Sequence, residues 1–331
     1  MTIVALSGLF RHRYRDFPIG HIAKVGQQIV QVSIGQYRGR EARHPGSRPS
    51  AERLRIANQT AQGVDAHVLG GIIGHVQIRS DGGIAAEIRA YLTDAGRSAT
   101  RRWPKALIVP HAGYIYSGPV AASAYALLQP GRETIRRVVL VGPVHRVPVR
   151  GLALPAASAF ATPLGSVQVD QHAAELARTL PQVTVSAAAH ALEHSLEVQL
   201  PFLQSVLADF SIVPFAVGDA SPEEVAEVIE RLWGGEETII VVSSDLSHYH
   251  PYEEARRIDR QTVEDIQALA SALDHEQACG ATPINGFTLC ARRHALSPTL
   301  LDLRNSGDTA GDKLRVVGYA AFAFSGGISH A

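Results

Sequence analysis

The sequence predicts an α/β protein in which helices flank a mostly parallel or mixed central sheet. From about residue 84 onward, short β-branched apolar segments alternate with segments whose apolar residues recur every three or four positions. This alternation is typical of α/β domains. No internal repeat or linker interrupts it, so we expect one domain over residues 84–326.

The predicted elements follow one another regularly. The first is an amphipathic helix over 84–92. The predicted strands are 106–109, 138–141, 152–154, 183–185, 212–217, 239–242 and 316–324. The predicted helices between them are 119–128, 171–180, 196–207, 222–232, 253–269 and 283–294, and residues 186–189 are expected to form a loop.

The first part of the chain has a different composition. Residues 1–60 contain ten Lys or Arg and three acidic residues, which gives about +7 there and about −7 in the rest. Because the periodicity is also weak, we interpret residues 1–83 as an atypical basic extension that is poorly ordered. An organelle transit peptide and a misassigned start codon are the alternatives.

The overall composition excludes several classes of protein. The 31 basic and 31 acidic side chains balance, which does not favour a nucleic-acid-binding protein. No apolar segment approaches the roughly 18 residues of a membrane span. The two cysteines are too few for a disulfide framework, which favours a reducing, cytoplasmic location. The 15 histidines suggest metal binding or proton transfer.

Polar residues follow three predicted strands where those strands end. His111 comes after 106–109, His145 after 138–141, and Asp245 with His248 after 239–242. Ligands of open α/β sheets bind beyond the carboxyl ends of the strands. If the three strands are neighbours, these side chains converge at one edge of the sheet.

Two neutral imidazoles and one anionic ligand on one face suit Fe(II) or a similar ion, because positions remain open for substrate. The anionic ligand is either Asp245 or Cys279. Cys279 precedes a predicted helix, whose N-terminus would stabilise a thiolate. His248 is then the candidate general acid or base. The alternative is that these histidines only make local hydrogen bonds at strand ends.

A competing pattern is present at His190, Glu193 and His194, which match the inverted zinc-hydrolase motif of two histidines and a glutamate. This motif requires a helix that has already formed at His190. The apolar periodicity becomes clear only near Glu193, so a zinc hydrolase is a remote alternative. We instead expect Glu193, His194, Tyr116 and Ser244 to line the cleft.

Five segments of the chain resemble, in order, motifs of the Memo family, and the resemblance spans about residues 84–325. The segments are Pro110-His111-Ala112-Gly113-Tyr114-Ile115-Tyr116-Ser117-Gly118, Gly142-Pro143-Val144-His145, Glu193-His194-Ser195-Leu196-Glu197, Ser243-Ser244-Asp245-Leu246-Ser247-His248 and Cys279-Gly280. Prokaryotic members are known as protein B of the AMMECR1, Memo and radical-SAM gene group. The family's usual opening segment is not found at residues 75–83.

The resemblance implies a fold similar to that of LigB-type class III extradiol dioxygenases and to phosphorylase-like folds. It also implies that His111, His145 and Cys279 are the metal ligands, with His248 as the acid or base and Asp245 beside it. Fe(II) is the implied metal, with copper or zinc as alternatives. AMMECR1-like and radical-SAM proteins are the implied partners.

Two functions of different classes are therefore expected. The first is a non-haem, metal-dependent oxidoreductase with dioxygenase-like architecture that acts on a small molecule. The second is a non-catalytic module that uses the same cleft to bind an anionic or phosphorylated peptide or a partner protein. Imidazoles bind metals, but together with helix N-termini they also bind phosphate, so the sequence does not separate the two functions.

Overall fold

A computed structural model describes residues 66–68, 82–96 and 102–326 of the chain. Within them, 12 strands form one mixed sheet that is flanked by helices. The strands are β1 Ala66–Val68, β2 Ala106–Val109, β3 Arg137–Pro143, β4 Leu152–Leu154, β5 Ala159–Thr162, β6 Gly165–Val169, β7 Val183–Val185, β8 Ser211–Val217, β9 Thr238–Ser243, β10 His248–His250, β11 Leu296–Asn305 and β12 Val316–Gly326. The predicted α/β fold class is confirmed.

The helices of the described residues lie between these strands. They are α1 Gly82–Asp94, α2 Tyr114–Tyr125, α3 Gln171–Arg178, α4 Ala187–Ala191, α5 Leu200–Val206, α6 Pro222–Arg231, α7 Tyr252–Gln267, α8 Ala281–Arg293 and α9 Ser306–Thr309. Short 3₁₀ helices occupy Ala126–Gly131 and Glu197–Gln199. No helix in the described part of the chain is long and apolar enough to cross a membrane.

The centre of the sheet is a parallel group in the order β8, β3, β9, β2. Every residue of β2 and β9 is buried. Parallel strands covered on both faces are typically continuous apolar segments, which explains why the sequence shows these strands so clearly. Because the strands are parallel, their carboxyl ends lie at one edge of the sheet. The candidate site residues His111, His145 and Asp245 follow the carboxyl ends of β2, β3 and β9.

The remaining strands extend the sheet on both sides. Beyond β2 lies the antiparallel strand β12, which also pairs with β10 and β11. Beyond β8 lie β6, β5 and β1. Strand β4 pairs both with β7 and with the end of β8. These strands matter for the site because β10 carries His248 and β4 lies against α4.

All seven predicted strands are present, but five others were not predicted: β1, which falls within the predicted extension, and β5, β6, β10 and β11. The last four are short or have an exposed face, so their apolar pattern is weak. Strand β11 even contains Pro298, which is tolerated because β11 pairs with β12 alone among the described strands and lies at an edge.

Two predictions of local structure need correction. Helix α2 begins at Tyr114, earlier than the predicted start at 119. The expected loop at 186–189 is instead the start of α4, where the Ser186 side chain accepts a hydrogen bond from the Ala189 N–H group. A serine side chain at this position stabilises the first turn of a helix. The predicted extension, residues 1–83, lies outside the described residues except for β1 and the start of α1.

Candidate metal centre

The ends of the three strands that precede the predicted site residues lie together at one edge of the sheet. Strands β3, β9 and β2 are neighbours, and the Ser244 N–H group donates to the Val109 carbonyl at 2.8 Å. The backbone N–H of His111 donates to Asp245 Oδ1 at 2.8 Å. The loops after β2 and β9 are therefore joined directly, and His145 approaches from the end of β3.

Ligand atoms of His111, His145 and Cys279 all lie within 4.8 Å of one another. The rings of the two histidines are 5.3 Å apart between centroids and nearly perpendicular. Two imidazole nitrogens and one sulfur at this separation suit a single transition-metal ion. The predicted ligand set is thus brought together.

His111 is the buried member of this set, with 2% of its surface exposed. Its Nε2 lies 3.3 Å from Cys279 Sγ, and its Nδ1 lies 2.8 Å from the hydroxyl of Ser243. Burial lowers the pKa of His111 well below its ordinary value, and the nearby His145 and His194 lower it further. The ring is therefore neutral at physiological pH, which is the form that binds metals.

His145 is oriented by a buried carboxylate. Its Nδ1 lies 2.9 Å from Glu193 Oε1, and its backbone N–H donates to Glu193 Oε2 at 2.6 Å. Burial acts to raise the pKa of Glu193, but hydrogen bonds from His145 and from the Ser195 N–H outweigh it and lower that pKa to about 2. An ionised carboxylate only accepts hydrogen bonds, so His145 Nδ1 carries the hydrogen and Nε2 is free to bind a metal.

Cys279 reaches the cleft in a loop that packs against Ser244. The N–H of Cys279 donates to the Asp245 carbonyl at 3.3 Å, and the N–H of Gly280 donates to Ser244 Oγ at 2.9 Å. A Cβ atom at Gly280 would lie only 2.6 Å from Ser244 Cβ, so glycine is required for this close approach. Ser244 is fully buried under the loop and supports Cys279 from behind.

The expected stabilisation of a Cys279 thiolate by the following helix is not seen. Burial raises the pKa of the Cys279 thiol, and the negative charge of Asp245 raises it further. Helix α8 begins at Ala281, and hydrogen bonds involving the Asp245 backbone, the Ser244 side chain and the Gly280 backbone only partly oppose these effects on the pKa. The thiol is protonated in the metal-free protein, so a metal ion would have to displace that proton.

Asp245 and His248 lie beside the three ligands. Asp245 is 4% exposed, and its Oδ1 is committed to the His111 N–H. Burial raises the pKa of Asp245, whereas the adjacent His248 acts to lower it. Of the two candidates for the anionic ligand, only Cys279 belongs to the group with His111 and His145. His248 is half-buried on β10, next to Tyr249, which has a left-handed backbone with φ of 63°.

The alternative zinc-hydrolase motif is not assembled. His190 is buried on α4, and its Nε2 bonds to the Ala153 carbonyl at 2.8 Å. Helix α4 ends at Ala191, so Glu193 and His194 do not lie on one helical face with His190. The zinc-hydrolase hypothesis is therefore wrong, because the motif needs a continuous helix.

His194 and Tyr116 are the other residues expected in the cleft. The His194 ring stacks on His145 with centroids 4.9 Å apart and lies 5.5 Å from His111. His145, Glu193 and His194 form a second possible ligand group, but Glu193 Oε1 already accepts bonds from His145 Nδ1 and from the N–H groups of His194 and Ser195. Tyr116 lies in the first turn of α2 and is 39% exposed.

Three polar residues of this region were not predicted as site residues, although Ser243 and Glu197 lie in segments that resemble the family's motifs. Ser243 and Gln199 are fully buried behind His111 and bond to each other at 2.9 Å. Glu197 is half-buried, and burial together with the charge of Glu193 raises its pKa to about 8. Ser243 directly follows the predicted apolar strand 239–242, and this position in the sequence indicated a place near the cleft. Gln199 lies in a 3₁₀ helix with no pattern that points to the cleft.

Comparisons with known proteins agree on one family. A family model described as "Memo-like protein" matches residues 79–323. A "MEMO1 family protein" of Metallosphaera sedula is 37% identical over 249 residues, which cover 71% of this chain and 87% of the relative. One from Aquifex aeolicus is 37% identical over 234 residues, covering 67% and 86%. One from Ignicoccus hospitalis is 40% identical over 235 residues, covering 66% and 81%.

Among solved structures, an uncharacterized protein from Escherichia coli K12 aligns with 66% of this chain and 99% of its own length. The TM-score is 0.43 and the identity is 16%. A likeness this small supports no conclusion about this chain.

Proposed function

The chain belongs to the Memo-like protein family, and we propose that it is a metal-dependent redox protein whose metal is bound by His111, His145 and Cys279. The observation that carries this proposal is the separation of at most 4.8 Å between the ligand atoms of these residues. Three protein ligands leave positions open for substrate, whereas a structural zinc site would have four. The proposed metal is Fe(II), with copper or zinc as alternatives.

A bound iron or copper ion would supply redox chemistry that no amino-acid side chain supplies. The sulfur of Cys279 makes the site softer than a carboxylate would, which favours copper(I), zinc or iron. The chain's own residues prepare the two imidazoles for metal binding. Glu193 holds the His145 ring in place, and burial keeps the His111 ring neutral.

His248 is the proposed group for proton transfer to a small-molecule substrate. It is half-buried on β10 and lies near the buried carboxyl of Asp245. An imidazole can both donate and accept a proton, which suits a general acid or base. Asp245 holds the loop after β2 through the His111 N–H, so it links the proton-transfer side of the cleft to the metal side.

Metal analysis of protein purified without oxygen tests the proposal. We expect about one equivalent of iron or copper in the wild type, and loss of that metal in His111→Ala, His145→Ala and Cys279→Ser. Matched controls are His294→Ala and Cys290→Ala, which change the same residue types elsewhere and should retain the metal. Metal-free wild-type protein, or equal loss in the controls, would contradict the proposal.

The second candidate function is a non-catalytic module that binds an anionic or phosphorylated peptide. Exposed apolar side chains next to cleft residues favour it, since Ile115, Leu192 and Tyr249 are 57%, 54% and 60% exposed. Arg146 is exposed beside His145, and its charge acts on His194. Such a surface suits a peptide segment with a negative group.

The proposed occupants include segments of AMMECR1-like and radical-SAM partner proteins. Calorimetry with a phosphorylated peptide and its unphosphorylated form separates the two functions. Tight phosphate-dependent binding by metal-free protein, weakened by Arg146→Gln, supports the module.

The two free cysteines favour the proposed cytoplasmic location, because free thiols persist in a reducing compartment.

A further inference from the structure

A chain of buried polar side chains lies behind His111, on the side away from Cys279. His111 Nδ1 lies 2.8 Å from Ser243 Oγ, and Ser243 Oγ lies 2.9 Å from Gln199 Nε2. The hydroxyl of Tyr125 donates to Gln199 Oε1 at 2.8 Å. Ser243, Gln199 and Tyr125 are each 0% exposed. Buried polar groups are costly unless they are fully hydrogen-bonded, so the direction of each bond can be worked out.

Two backbone carbonyls fix the direction of these bonds, because a carbonyl oxygen only accepts. Gln199 Nε2 lies 3.0 Å from the Pro110 carbonyl, which identifies it as the amide nitrogen. Its two hydrogens go to Pro110 O and to Ser243 Oγ. Ser243 Oγ also lies 2.6 Å from the Ser195 carbonyl, so the single hydroxyl hydrogen is committed to Ser195.

Ser243 Oγ therefore has only an acceptor position left for His111. If His111 Nδ1 carried no hydrogen, two acceptors would face each other at 2.8 Å. His111 must then carry its hydrogen on Nδ1, which leaves the lone pair on Nε2. Nε2 is the atom 3.3 Å from Cys279 Sγ, on the metal side of the ring.

We propose that Ser243 and Gln199 are positioning residues that hold His111 in the Nδ1–H tautomer, with Nε2 presented to the metal. This inference rests on the proposed metal centre. The two imidazoles are oriented by different means. His145 donates to the charged carboxylate of Glu193, whereas His111 donates to a neutral hydroxyl whose hydrogen is already committed.

The tautomer is measured directly by NMR of metal-free protein with ¹⁵N-labelled histidine. We expect His111 to show a protonated Nδ1 and an unprotonated Nε2 above its pKa. In Ser243→Ala the Nδ1 hydrogen has lost its acceptor, so the ring should shift toward the Nε2–H form. A wild-type His111 protonated at Nε2 would overturn the proposal. This readout needs no metal, so it is independent of whether the proposed function is correct.

Metal affinity gives the second test, with Zn(II) as the probe. We expect Ser243→Ala and Gln199→Met each to weaken binding about 10- to 100-fold, the usual effect of removing the group that orients a ligand histidine. The matched control is Thr288→Val, which removes another buried hydroxyl, one that donates to the carbonyls of Ala270 and Asn285. Its affinity should match the wild type.

The possible results of these two tests lead to different conclusions. If a folded Ser243→Ala or Gln199→Met protein bound Zn(II) with wild-type affinity, Ser243 and Gln199 would not position His111. An equal loss of affinity in Thr288→Val would show that the effect is only structural, which also overturns the proposal. If the wild type itself binds no metal, the proposed function fails, and the NMR result still decides the tautomer.

Discussion

The chain contains the same chemical pair, histidine with glutamate, in two very different surroundings. In the cleft, His145 Nδ1 lies 2.9 Å from Glu193, and far from it His294 Nε2 lies 2.8 Å from Glu230. The Glu193 side chain is 1% exposed, whereas that of Glu230 is 28% exposed. The distances are nearly equal, so distance alone does not distinguish them.

The difference lies in what else each pair contacts. Glu193 also accepts from the backbone N–H groups of His145, His194 and Ser195, so the carboxylate is fully ionised and fixed. His294 follows the end of α8 and stacks on Trp233 with ring centroids 3.7 Å apart. The cleft pair leaves Nε2 of His145 free in the candidate ligand group, and the surface pair holds two helix ends together.

The largest expected difference is in how the two glutamates affect the pH dependence of stability. The pKa of Glu193 is lowered from 4.5 to about 2, so the unfolded chain binds this proton more tightly than the folded protein. The stabilisation is complete above pH 4.5 and is lost as the pH falls toward 2. It amounts to about 3 kcal/mol.

Urea unfolding of wild type and Glu193→Gln between pH 7 and pH 3 measures this contribution. The variant should be less stable at pH 7, and the gap should close as the pH falls. Glu230→Gln should cost less than about 1 kcal/mol, since its pair is partly exposed. A constant gap between wild type and Glu193→Gln at all pH values would contradict the argument.

The next largest effect is on metal affinity. Glu193→Gln places an amide next to the N–H groups of His145, which disturbs the orientation of its ring. We expect Zn(II) binding to weaken about 10- to 100-fold. Glu230→Gln should bind Zn(II) like the wild type, and calorimetric titration of both variants makes the comparison.

The two cysteines allow a similar comparison of proton release. Burial raises the pKa of both Cys279 and Cys290, so both are thiols in the metal-free protein. Only Cys279 belongs to the candidate ligand group. Metal binding should release about one proton, and affinity should rise about tenfold per pH unit between pH 7 and 8.5.

Calorimetry in two buffers with different ionisation enthalpies gives the number of protons released. Cys290→Ala should release the same number as the wild type, because its sulfur lies against the Ala226 carbonyl in the core. Binding without proton release would show that Cys279 is not a ligand.

The smallest expected effect concerns the surface pair. His294→Ala removes the ring stacked on Trp233 and the bond to Glu230, and we expect a loss of about 1 kcal/mol. Thermal unfolding measures this loss, and metal content should not change. Loss of metal in this variant would mean that the surface pair and the cleft are coupled.

Much of the fold was predictable because the central strands are buried on both faces. Strands such as β2 and β9 appear in the sequence as continuous apolar segments, and the polar residues after them stand out. Edge strands gave no such signal. The ten-residue strand β11 contains Pro298 and several polar residues, and it is a strand only because β12 lies beside it.

The site was predicted in part for a similar reason. His111 and His145 follow strands, so their convergence depended only on those strands being neighbours. Glu193 was expected to line the cleft, with a zinc hydrolase as a remote alternative, but the sequence did not show that its carboxylate lies behind His145. Helix α4 ends at Ala191, and the chain then turns Glu193 toward His145.

The sequence by itself determined that the imidazoles of His111 and His145 follow central strands, and it left Asp245 and Cys279 as the alternatives for the third candidate ligand. Only the tertiary structure decided that Cys279 rather than Asp245 completes the group, and which nitrogen of each histidine carries the hydrogen. The physical reason is that these choices depend on hydrogen-bond partners far away in the chain. Ser243 lies 132 positions from His111, and Glu193 lies 48 from His145, so only folding brings them together.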